Sequence, residues 1–159
     1  MDEATQEIER VYRERYVGFR NALVTVTGSH DAARDAVQEA FARALRERAG
    51  FRGEGPLEAW IFKIALRIAL EARRNRREVE LSETIDPALP EPELDPELAA
   101  ALRSLPPRRR LIVFLRYFAD LSYAEIADVC GISEGTVAAS LAQARATLLE
   151  ELECEEVKT

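Results

Sequence analysis

Arg73, Arg74, Asn75, Arg76 and Arg77 follow one another at the end of an apolar stretch. Arginine offers a planar fork to phosphate or guanine, and asparagine pairs with an adenine edge. The plainer reading is that the arginines complement the negative end of a helix dipole. Trp60 precedes them in the same apolar stretch. An exposed tryptophan there supports an unstacked base, and a buried one is simply core. Further along, Arg108 and Arg109 stand ahead of the hydroxyls of Ser133, Thr136 and Ser140. Short hydroxyls hydrogen-bond phosphate or base edges, and equally cap helices or face water. All of this is the chemistry of holding a polyanion, with no bond broken.

Groups for covalent chemistry are sparse. His30 is the sole histidine and falls at a helix entrance, where capping or solvation explains it. Cys130 sits in an apolar helical pattern and Cys154 in a glutamate-rich tail, so neither builds a disulfide framework or a metal motif, which fits a reducing compartment. Gly53 and Gly55 lack the strand and the lysine–hydroxyl pair of a phosphate loop. An enzyme, a metal centre and a bound cofactor are therefore not expected.

The formal net charge of -7 speaks against a nucleic-acid binder until it is divided along the chain. Residues 1–78 carry 15 basic and 13 acidic groups, and residues 98–150 carry six and five. Seven acids and no base occupy 79–97, and four acids with one base end the chain at 151–159. The acidity lies in a stretch and a tail, which leaves the remainder free to present basic patches.

The elements that must position these groups read as helices throughout. Ile8, Tyr12, Tyr16, Phe19, Leu23 and Val26 recur by threes and fours over 6–27. Gly28-Ser29 then separates a second helix, about 31–48, with Ala33, Val37, Ala40, Phe41, Ala44 and Leu45 inward and Asp35, Gln38 and Glu39 largely outward. After the FRGEGP turn, a helix over 56–76 puts Leu57, Trp60, Ile61, Ile64, Ala65, Ile68 and Ala72 on its apolar side. Four prolines and the run of acids make 79–97 an extended, self-repelling linker. Order resumes at Asp95-Pro96, and Pro106-Pro107 separates two short helices. No run of apolar residues is long enough for a membrane span, and the acidic start is unlike a secretory signal. The expected fold is all-α: two small helical domains, 1–78 and 98–152, with the linker 79–97 between them and an acidic tail at 153–159.

LSYAEIADVCGISEGTVAASLAQARATL supplies a short helix, a glycine-containing turn and a capped second helix. Ser122 and Glu125 have capping-box spacing, Ser133 caps the last helix, and Ile126, Ile132, Val137 and Leu141 fill the angle between the two. This is a helix-turn-helix, whose second helix can enter a major groove.

With that motif in place the chain, over roughly 8–150, resembles a bacterial RNA polymerase sigma factor of the extracytoplasmic-function group, within the sigma-70 superfamily. DAVQEAFARAL and FRGEGPLEAWIFKIALRIALEARRNRR resemble the second conserved region of that family, and LPPRRRLIVFLRYFADLSYAEIADVCGISEGTVAASLAQAR resembles the fourth. The resemblance implies a promoter-specificity subunit that acts in the cytoplasm, binds core RNA polymerase and promoter DNA, and is open to sequestration by an anti-sigma protein. It implies polymerase docking at Asp35, Gln38, Glu39 and Phe41. It implies contact with the promoter element nearer the start site through Trp60, Lys63, Arg67, Glu71, Arg73, Arg74, Asn75, Arg76 and Arg77. Arg108, Arg109, Ser133, Thr136 and Ser140 would meet the distal element.

The chain departs from the family in its last helix, where TVAASLAQAR stands for a basic T-V-K-S-R-L-x-R-A-R. Ala138, Ser140 and Gln143 occupy positions that are commonly basic, and Arg145 is the one cation between Ser133 and Glu150. Arg34, Ala36 and Glu71 also differ from the usual pattern. Two readings follow: a promoter-specificity subunit with a divergent recognition helix, or a sigma-like regulator that works mainly through protein contacts. An alanine-rich face turned to solvent would favour the second.

Overall fold

The computed structural model describes residues 1–75 and 95–158, and the expected linker falls largely outside the described residues. The described chain is helical, with no strand, and forms two compact units. The N-terminal unit holds α1 (Glu3–Thr27), α2 (His30–Arg46), a 3-10 turn at Arg48–Gly50, and α3 (Leu57–Asn75). The C-terminal unit holds α4 (Pro96–Ser104), α5 (Pro107–Tyr117), α6 (Tyr123–Cys130) and α7 (Glu134–Lys158).

Helix boundaries follow local chemistry. Asp2 accepts from the Thr5 backbone N–H at 2.8 Å to start α1. Gly28, at φ 70°, ends it in the left-handed region that glycine occupies without a Cβ penalty. The side chain of Ser29 starts α2 by accepting from Ala32 N–H at 3.2 Å, and Ser122 does the same for α6 through Glu125 N–H at 3.1 Å. Gly131, at φ 66°, turns the chain from α6 toward α7.

The three long helices of the N-terminal unit all pack against one another around Phe19 and Phe62, whose ring centroids lie 5.2 Å apart. An ion pair of low exposure, Arg15 Nε to Glu58 at 3.6 Å, ties α1 to α3. The α3 face differs from the one expected. Its buried residues are Ala59, Ile61, Phe62, Ala65, Leu66 and Ala69, while Trp60, Ile64 and Ile68 are half-buried. Because α3 touches both α1 and α2, an apolar arc broader than one stripe is covered, and the Phe62–Leu66 side takes its centre. Tyr12 and Leu45, also expected inside, are 39% and 38% exposed.

In the C-terminal unit Leu105, Leu115, Ile126, Val137 and Leu141 are almost fully buried, and α7 packs against α4, α5 and α6. Phe114 and Phe118 stack at 4.6 Å. Ile132, expected in the angle of the helix-turn-helix, is half-buried. The residues expected as an acidic tail continue α7, which runs to Lys158. Among the described residues no helix is long and apolar enough to cross a membrane.

Candidate nucleic-acid interface

At 100° per residue, Trp60, Lys63, Arg67, Glu71 and Arg74 fall within an arc of roughly 80° on α3. The centre of the arc is turned roughly 120° round the helix from the buried Phe62–Leu66 side. Arg67, Glu71, Arg74 and the following Asn75 are exposed, and Trp60 and Lys63 are half-buried. The Trp60 ring leans on Phe51, centroid to centroid 5.3 Å, so the loop before α3 supports the indole from one side. Half-burial satisfies neither simple reading of Trp60: it is anchored and also reachable. Arg73 points elsewhere, donating from Nη1 to the Val26 carbonyl at 3.3 Å and joining the ends of α3 and α1. Arg76 and Arg77 lie outside the described residues.

On α2, Asp35 and Gln38 are exposed and Glu39 is half-buried. One Glu39 oxygen accepts from Arg43 Nε at 3.0 Å and from Arg46 at 3.2 Å. The Arg43 hydrogen bond, followed by that of Arg46, lowers the Glu39 pKa from its ordinary value. Phe41 is not on this surface. It borders Gln38 one turn along α2 but turns inward, 4% exposed, edge-on to Tyr12 at 5.0 Å and 6.1 Å from Phe19. Its side chain is therefore core, because the largest apolar group on α2 gains most from facing α1.

In the C-terminal unit Ser133 Oγ accepts from Thr136 N–H at 3.1 Å and shares a hydrogen bond with Thr136 Oγ1 at 2.9 Å. Both hydroxyls thus form the start of α7, while remaining exposed, and Ser140 is half-buried. Arg108 donates to the Cys130 carbonyl at 2.9 Å, covering the end of α6. Arg109 donates to Gln143 Oε1 at 2.7 Å. Arg145 donates from Nε and Nη2 to the Tyr117 hydroxyl at 2.9 and 2.6 Å. Tyr117, Gln143 and Arg145 had no place among the expected contacts. Their partners lie 28 and 34 residues away, a separation that helical spacing does not encode. Ala138, Ala139, Ala142 and Ala146 are exposed on the outer side of α7.

Among the described residues no group of three or more His, Cys, Asp or Glu side chains is arranged to hold a metal ion.

Two family models match the chain: sigma-70 region 2 over residues 11–79 and sigma-70, region 4 over residues 96–148. The chain is similar to the RNA polymerase sigma factor SigV of Bacillus subtilis, 30% identical, with 79% of each chain covered. It is similar to the sigma factor YlaC of the same organism, also 30% identical, with 89% of each covered. Among solved structures, that of CnrH in complex with the cytosolic domain of CnrY matches with a TM-score of 0.50 and 23% identity. It covers 96% of this chain and 94% of that one, a likeness of fold.

Proposed function

The chain belongs to the sigma-70 family, as a promoter-specificity subunit of RNA polymerase, and from that premise we propose how its surfaces divide the work. Core polymerase docks on the outer face of α2 through Asp35, Gln38 and Glu39, with Phe41 holding that face in place from beneath. The arc of α3, from Trp60 through Lys63, Arg67, Glu71 and Arg74 to Asn75, meets the promoter element nearer the start site. Arg76 and Arg77 extend its charge, and Arg73 anchors the helix end. Arg108, Arg109, Ser133, Thr136 and Ser140 serve the distal element. On this reading residues 1–78 and 98–152 are the two functional parts, 79–97 links them, and 153–159 is an acidic end. The protein works in the cytoplasm beside the polymerase, by binding alone, and an anti-sigma protein is a further partner.

The single observation that carries this reading is the α3 arc. It joins a supported, reachable indole to cations and an amide on one exposed helix face. Strand separation needs what such a face offers: phosphate neutralisation with an aromatic surface for a displaced base. The exposed alanines of α7 are what a protein-binding regulator would present, but the match of both sigma regions in order favours promoter selection.

The test is promoter-dependent transcription with purified core polymerase over a library of upstream DNA. Wild type is expected to yield specific transcripts, and Arg67→Ala/Arg74→Ala, which removes two exposed cations of the arc and spares the Arg73 anchor, to reduce them about tenfold or more, since each phosphate contact removed costs salt-dependent affinity. A folded protein, free of inhibitory partners, that neither bound core polymerase nor directed transcripts would defeat the proposal and return the protein-binding reading.

A further inference from the structure

Every cation that α7 can bring to DNA reduces, between Ser133 and Glu150, to Arg145. A long exposed arginine ordinarily samples many rotamers, and phosphate contact must then arrest it. Here it is already arrested. Two of its N–H groups meet the Tyr117 hydroxyl, and its guanidinium carbon lies 5.9 Å from that ring's centroid. Tyr117 is 59% exposed at the end of α5, so this is a surface pair without a core to serve. The Tyr123 hydroxyl is a lesser second partner, and five N–H donors leave the guanidinium capacity beyond both.

A second guanidinium is held on the other flank. Gln143 and Arg145 stand about 160° apart around α7, on either side of the exposed arc of Ala138, Ala139, Ala142 and Ala146. Gln143 fixes Arg109 from the start of α5, as Tyr117 fixes Arg145 from its end. The same helix, α5, therefore supplies one member of each pair. A helix about 10–12 Å across nearly fills a major groove about 12 Å wide, so its two flanks face the two phosphate strands. Cations on both flanks of an outer face that is uncharged from Gly135 to Ala146 suit that duplex; an acidic partner helix lying along that stretch would leave both at its margin.

We propose that Tyr117 is a positioning residue for promoter DNA, pinning Arg145 against one phosphate strand while Gln143 sets Arg109 against the other. The inference rests on the promoter-reading function proposed above. It changes how the divergent recognition helix is understood: lost lysines and arginines on α7 are offset by two guanidinium groups held by hydrogen bonds between α5 and α7.

The experiment measures how the affinity of full-length protein with core polymerase for its selected promoter duplex varies with salt. Arg145→Gln and Arg109→Gln should each make the slope of log K against log salt shallower by about 0.9. Tyr117→Phe keeps the charge and the ring, so it should leave the slope alone and weaken binding about threefold to tenfold. Placed in the Arg145→Gln background, Tyr117→Phe should cost nothing more. Arg145→Lys, which retains charge without the fork, should resemble Tyr117→Phe, and serves if the glutamine variant does not fold. An unchanged slope in a folded Arg145→Gln protein, or full additivity of the Tyr117 and Arg145 changes, overturns the proposal. Wild type that binds no polymerase and starts no transcripts defeats the parent reading as well; wild type that initiates normally beside an unresponsive Arg145→Gln defeats this inference alone.

Discussion

Phe41 and its neighbours on α2 separate two roles that one stretch of sequence combines. Phe41 is buried against Tyr12 and Phe19, so Phe41→Ala should destabilise the N-terminal unit by about 3–5 kcal/mol. Asp35→Ala and Gln38→Ala remove exposed groups and should each change stability by less than about 0.5 kcal/mol while weakening core polymerase binding. Denaturant unfolding beside a polymerase pull-down checks both, and a stable Phe41→Ala protein that had lost only polymerase would reverse the assignment. Asp2 carries a pH dependence at the same scale. The Thr5 hydrogen bonds, side-chain and backbone, hold its pKa at about 2 against an ordinary 3.8. A depressed carboxylate favours the folded helix start above its ordinary pKa, and that preference is lost as pH falls through about 2. An NMR titration of the Asp2 carboxyl should find its midpoint near 2, and Thr5 amide protection should fall in parallel. A midpoint at the ordinary value would mean that the cap is not formed in solution.

Elements were legible where a boundary residue announces itself. Gly28-Ser29, Pro56, Asp95-Pro96, Pro106-Pro107 and Ser122 mark starts and stops within a residue or two of those observed, because caps and prolines act locally. The face of α3 was not legible in the same way. Ile64 and Ile68 compete with Phe62 and Leu66 for the interior, and only packing against two helices at once decides between them. The residues of the α3 arc were supplied by the family resemblance, while the Arg109–Gln143 and Arg145–Tyr117 pairs required the fold that brings α5 beside α7. The turn between α6 and α7 gives this scale its prediction. Gly131 sits at φ 66° with nothing within 4 Å of where a Cβ would stand, so Gly131→Ala meets a backbone penalty without a clash. That penalty is about 1–2 kcal/mol. The variant should melt earlier in its C-terminal unit and lose distal-element recognition more than polymerase binding. Unchanged melting would show that the turn relaxes out of the left-handed region at little cost.

Charge is the property that belongs to the whole molecule. A net charge of -7 repels DNA at long range, while the surfaces proposed to touch DNA are basic, so approach and contact have opposite signs. Long-range repulsion is screened within roughly 8–10 Å at physiological salt, whereas a phosphate contact acts inside that distance. The expected consequence is selectivity: weak, indiscriminate attraction is suppressed, so that binding would depend on the full set of proposed contacts. Glu80, Glu83, Asp86, Glu91, Glu93, Asp95 and Glu97 hold seven of those negative charges in one stretch. Replacing all seven by their amides brings the net charge to zero without touching a proposed contact. The free variant should bind random duplex DNA more tightly than wild type, with the largest difference at low salt and convergence as salt rises. Its preference for the selected promoter over random DNA should shrink accordingly. Fluorescence anisotropy over a salt series reads both effects. Equal affinity of the two proteins for random DNA at low salt would place the source of discrimination in the contacts themselves and leave the acidic stretch without an electrostatic part in it.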